Sequence, residues 1–143
     1  MKKICVFIFL FFQLKSIANA APSNRDLYIQ CSDVFFASSD IVVCMTKKLS
    51  ESEKHLIKEQ KRVLALLKQW NVDQALKDNA TKRIIDSNNE FKKYKKYNCN
   101  FSMSLMGGSV SNSHEITEKA CLTSLNIQYI EQLEGDLTLI QKK

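Results

Sequence analysis

The sequence predicts an all-α fold, a disulfide-tied bundle of three long helices plus a short N-terminal helix. Three observations lead there. Beyond the first twenty residues only Pro22, Gly107, Gly108 and Gly135 punctuate the chain, too few breakers for the many turns of an all-β protein. Apolar residues recur at steps of three, four and seven along three long stretches, the spacing that lays side chains on one face of a helix. Four cysteines remain in a segment that reads as exported, where paired cysteines are the default.

Export is read from the start of the chain. Met1-Lys2-Lys3 forms a positive n-region, Ile4 to Phe12 an apolar run, and Ala18-Asn19-Ala20 offers the small residues a signal peptidase accepts. The apolar stretch falls well short of the roughly 20 residues that span a bilayer. Residues 1–20 therefore read as a signal peptide cleaved after Ala20, and residues 21–143 as a single helical domain, periplasmic or secreted, with no stable membrane anchor. Cys5 precedes the apolar core, and Cys31 follows Tyr28-Ile29-Gln30 rather than small residues, so neither suits lipid attachment. Lys2, Lys3 and Lys15 leave with the leader, and 18 basic side chains then face 15 acidic ones. This mild excess gives little cause to expect nucleic acid as a partner.

In the mature chain a short helical piece from Asn24 to Phe36 carries Cys31 toward Cys44. The first long helix starts near Ser38 or Ser39, either of which can cap it. Its stripe is Ile41, Met45, Leu49, Leu56, Val63, Leu67 and Trp70. Between these anchors Lys47, Lys48, Glu51, Glu53, Lys54, Lys58, Glu59, Lys61 and Arg62 read as a solvated face, with His55 on the surface and Trp70 as a plug at the helix end. After a break near Asn71, Leu76, Ala80, Ile84, Phe91, Tyr94 and Phe101 form a second stripe that stops at Gly107-Gly108. A third helix follows, with Asn112 and Glu115 as a capping pair, and runs through Ile116, Ala120, Ile127, Ile130, Leu133 and Leu137. Amphipathic helices cannot bury their stripes alone, so three joined by short loops imply a roughly antiparallel bundle.

Cys31, Cys44, Cys99 and Cys121 allow three pairings. The two shortest loops favour Cys31 with Cys44 and Cys99 with Cys121, each closure stabilising by about 3 kcal/mol in the chain-entropy model. A zinc site using these thiolates with His55 or His114 is disfavoured, because no Cys-x-x-Cys knuckle is present. No cofactor is called for.

The residues also resemble a family, the LprI-type lysozyme inhibitors, small exported helical domains with four cysteines. Cys31 and Cys44 match its first pair, and Phe91, Tyr94, Lys95 and Cys99 its central aromatic, aromatic, basic, cysteine frame. Gly107-Gly108-Ser109, Cys121, Leu125 and Leu133 match its turn, last cysteine and trailing leucines. The resemblance covers Cys31 to about Leu137 and implies a mostly helical domain with two disulfides and a protein partner, lysozyme. Arginine usually stands where this chain has Lys95, and threonine and arginine where it has Asn126 and Tyr129, so the local polar network differs here.

For function the resemblance implies an exported binding protein that occludes lysozyme to protect the cell wall. Lysozyme works through two carboxylates flanking the glycosidic bond, and a loop placed in that cleft excludes substrate. The candidate contact loop is Gly107, Gly108, Ser109, Ser111, Ser113 and His114. The alternative is an envelope interaction or structural module with a different partner. The segment Phe91-Lys92-Lys93-Tyr94-Lys95-Lys96-Tyr97 interleaves basic and aromatic residues, but a helix that turns Phe91 and Tyr94 inward leaves the lysines as an ordinary wet face. With two histidines, no phosphate-binding glycine loop and no nucleophile motif, the sequence specifies no enzyme. It does not specify an oligomeric state.

Overall fold

The computed structural model describes residues 20–108 and 111–141, so the expected leader lies outside the described residues except for Ala20. Four helices follow in order: α1 (Asn24–Ser32), α2 (Ser38–Gln69), α3 (Gln74–Ser104) and α4 (Ser111–Gln141). The fold is all-α, as the spacing and the scarcity of breakers require.

Each boundary has a local cause. Ser23 caps α1 in a reciprocal box: its hydroxyl accepts from the Asp26 amide at 3.2 Å, and the Asp26 carboxylate accepts from the Ser23 amide at 2.9 Å. The Ser23 side chain, then the Ser23 amide, hold the Asp26 carboxyl below its ordinary pKa. α1 ends at Ser32, earlier than Phe36, and Val34, Phe35 and Phe36 lie in the connection. α2 opens on Ala37, not on a serine cap. The Ser38 hydroxyl instead accepts from Asn112 Nδ2 at 3.0 Å. At the far turn Trp70 leaves the helix in extended geometry, and Asp73 caps α3 by accepting from the Leu76 amide at 3.1 Å. Asn112 lies inside the first turn of α4, so its side chain serves the contact with α2 rather than the cap.

α2 and α4 run parallel and α3 returns antiparallel between them in the chain. The register of the parallel pair is fixed at both levels where polar side chains bridge it: Asn112 to Ser38 and Asn126 to Ser52 have the same sequence separation of 74. Two apolar clusters fill the interior. Near the start of α2, Leu27, Cys31, Ile41, Met45, Ile116 and Ala120 pack together. In the far half, Leu56, Val63, Leu67, Tyr129, Ile130, Leu133 and Leu137 do so, with Trp70 packed against them. The Trp70 indole N–H, though buried, has no hydrogen-bond partner among the described residues.

A polar layer separates the clusters. Asn126 has no exposed surface. It accepts from Lys95 Nζ at 2.8 Å and donates to Ser52 Oγ at 3.0 Å, and Ser52 donates onward to the Leu49 carbonyl at 2.8 Å. Asn126, Lys95 and Ser52 are all partnered, which a buried polar group needs to avoid a desolvation cost of a few kcal/mol, while the buried Thr123 hydroxyl near Ser52 has no partner among the described residues.

Two sequence expectations fail here. Glu59 is 4% exposed rather than solvated, because it sits between Leu56 and Val63 on the buried stripe. The α3 stripe is largely open: Leu76 is 52%, Tyr94 55% and Phe101 62% exposed, and only Cys99 is fully buried on this helix. From Phe91 a step of three swings a side chain about 60° around the axis. That rotation takes Tyr94 off the contact face that Phe91 and Cys99 share.

Candidate functional site

The expected contact loop lies where the end of α3, the start of α4, α1 and the start of α2 converge. Cys31–Cys44 joins α1 to α2 with Cα atoms 5.9 Å apart, and Cys99–Cys121 joins α3 to α4 at 5.6 Å. The pairing is the one that the shortest loops favour. All four sulfurs are used in it, which leaves no thiolate for the zinc alternative.

Both cross-links stand toward the end of the molecule that holds a groove of about 410 Å³. Ile41, Ile116 and Ala120 supply buried apolar floor, Tyr28 and Met106 exposed rim, and Arg25 the one charged side chain. Arg25 therefore gives the groove a positive edge suited to a carboxylate.

The loop itself is shaped by one glycine. Gly107 has φ +58°, in the left-handed region that costs other residues steric strain. A methyl group at Gly107 or Gly108 would meet nothing within 4 Å, so both face open space. His114 Nε2 donates to the Gly107 carbonyl at 3.1 Å and folds the loop onto α4, while Asn112 ties that helix start to α2. Ser113 lines the groove. Ser109 and the side chain of Ser111 lie outside the described residues. Of the expected loop residues Ser113 thus lines the groove, and Gly107 and His114 are joined to each other by a hydrogen bond. Arg25 and Tyr28 of α1 also line the groove, a placement the sequence does not encode, since nothing in the spacing of a short helix tells which long helices it will lie across.

The three positions where the chain departs from the family pattern form a connected set. Lys95 reaches Asn126, with its amine also 5.9 Å from the Phe91 ring centroid. Tyr129 stacks on Phe91 with centroids 4.1 Å apart. Its hydroxyl donates to Asn88 Oδ1 at 2.9 Å and lies the same distance from Ser87 Oγ. Gln60 Nε2 donates to the same Asn88 oxygen at 3.1 Å and so brings in α2. A stacked phenol and an amide thus occupy the space where the pattern has arginine and threonine. Burial lowers the Lys95 pKa; nearby Glu53 opposes that and Lys92 reinforces it.

Away from this site α3 exposes an aromatic ladder, Tyr94, Tyr97 and Phe101, beside exposed Lys92, Lys93 and Lys96. Lys93 pairs with Glu90 at 2.7 Å, the pair being fully solvated and worth little. Among the described residues no helix is long and apolar enough to cross a membrane.

Comparison with known proteins agrees with the cysteine frame. No curated protein and no solved structure gives a significant match. The family model described as lysozyme inhibitor LprI matches residues 31–133, from Cys31 to a leucine of the far cluster. With four cysteines in register, the glycine turn in place and most of its length matched, the chain belongs to the LprI lysozyme inhibitor family.

Proposed function

We propose that the mature chain is an exported binding protein that blocks lysozyme by steric occlusion, with the cross-linked end of the bundle as its contact surface. Membership in the family supports a protein partner of this kind. The single observation that carries the surface is the coincidence of both disulfides, the groove and the Gly107–His114 loop toward one end of the molecule. A loop held at both feet loses little conformational entropy on docking, which favours affinity. Arg25 on the groove edge suits the paired carboxylates of a glycosidase cleft. The work is binding, and no step of it needs catalysis.

The test is a lysozyme turbidity assay on cells or wall suspensions with the purified, oxidised mature protein added. Dose-dependent slowing of lysis that is lost in Arg25→Glu with Ser113→Arg supports the reading. Unchanged lysis at high molar excess rejects it.

A second reading, an envelope module with a different protein partner, is favoured by the Tyr94, Tyr97 and Phe101 ladder, since exposed tyrosine and phenylalanine are residue types enriched at interfaces. Under that reading Tyr97→Ala with Phe101→Ala abolishes capture of the partner, and substitutions at Arg25 do not.

A further inference from the structure

We infer that α2 and α4 carry a zinc-binding site made of His55, Glu59 and Glu134, distinct from the groove and independent of any action on lysozyme. The three side chains present one imidazole nitrogen and two carboxylate oxygens, all within 4.8 Å of one another. His55 and Glu59 are one helical turn apart, with Nε2 3.9 Å from Oε1, the i, i+4 spacing that places two donors on one ion. The third donor comes from the parallel partner helix, where the register of 74 set by the two polar bridges puts Glu134 level with position 60.

Electrostatics make the arrangement costly without a cation. Two carboxylates on facing helices are held close, and one of them, Glu59, is 4% exposed. Arg62 supplies a single positive charge, at 2.9 Å and on the other oxygen, Oε2. The two carboxylates outnumber the one guanidinium, and Oε1 of the buried carboxylate faces His55 Nε2. A carboxylate fixed by a hydrogen bond on its far oxygen is the usual support for a metal ligand. One nitrogen and two oxygens select a borderline ion such as zinc over calcium or magnesium, which take oxygen ligands. Three protein donors leave a fourth position open to water. Glu59 is inside the bundle and the other two at its surface, so the ion enters from solvent.

The experiment is thermal unfolding and titration calorimetry of the untagged, oxidised mature protein with zinc chloride, and with calcium and magnesium as comparison ions. Expected are one zinc per chain and a midpoint rise of about 10 °C at zinc 100 times the dissociation constant. Calcium and magnesium should produce no rise. His55→Ala and Glu134→Gln, both at exposed positions, each remove the rise without lowering the metal-free midpoint by more than about 2 °C. His114→Ala keeps it. No zinc-dependent shift, an equal shift with calcium, or a shift that survives in His55→Ala overturns the site.

Discussion

Lys95 on α3 and Asn126 on α4 meet at 2.8 Å in the layer that divides the two apolar clusters, and Asn126 passes the contact on to Ser52 of α2. One fully buried amide thereby links all three long helices. Shifting α4 by one turn would part Asn126 from both partners and leave polar groups unpaired in the core, so this layer opposes misregistration more than it adds stability.

Asn126→Leu should therefore destabilise the protein by about 1–3 kcal/mol, since Lys95 and Ser52 both lose their partner. Adding Lys95→Met and Ser52→Ala should recover most of the loss. Urea unfolding of the wild type, Asn126→Leu, the Lys95→Met with Ser52→Ala variant and the triple variant measures it, and additive losses in the triple variant would contradict the layer.

The lowered Lys95 pKa has a consequence for pH dependence. Because the folded state holds this proton less tightly than the unfolded chain, the unfolded state binds more protons in the window between the lowered value and the ordinary 10.5. Stability contributed at this site accordingly rises with pH through that window. The difference in unfolding free energy between the wild type and Lys95→Met, followed across the alkaline range, should move in favour of the wild type as pH rises. A difference that is flat in pH would show that burial does not disfavour the charge.

Gly107 and Gly108 should respond differently to alanine. At Gly107 the positive φ makes Gly107→Ala cost about 1 kcal/mol. Gly108→Ala should be close to neutral, because its added methyl meets nothing. Thermal midpoints of the two variants provide the comparison.

Replacing Cys99 and Cys121 together by alanine should cost about 2–4 kcal/mol, and replacing Cys31 with Cys44 a similar amount. Peptide mapping of the non-reduced wild type should recover Cys31 with Cys44 and Cys99 with Cys121 as linked pairs.

Most of the architecture was legible in the sequence, because two of the three long helices obey the periodic rule closely. Ile41, Met45, Leu56, Val63 and Leu67 of α2 are buried, as are Ile116, Ala120, Ile130, Leu133 and Leu137 of α4. Each of these helices packs against the other along its length. α3 leans on the pair from one side, so a narrower part of its surface is covered and the aromatic steps at Tyr94 and Phe101 fall outside it. The buried polar residues were hidden for a different reason. Ser52, Glu59 and Asn126 occupy core-facing positions, but a pattern that counts only apolar residues reads them as gaps. Of the proposed contact surface, the sequence marks the loop through Gly107-Gly108 and the serines. The groove beside it depends on where α1 lies, which no local pattern encodes.

The placement of the cross-links also governs how the molecule opens. Cys31–Cys44 clamps α1 onto α2 and Cys99–Cys121 clamps α3 onto α4 toward the same end, so within each pair that end stays closed. At the end away from the cross-links the turn from Trp70 to Asp73 joins α2 to α3, while the last turns of α4 are held by side-chain packing, so separation begins with α4 there. Amide protons near Leu67 and Leu137 should exchange sooner than those near Met45 and Ala120, and a protease would make its first cut at the tip.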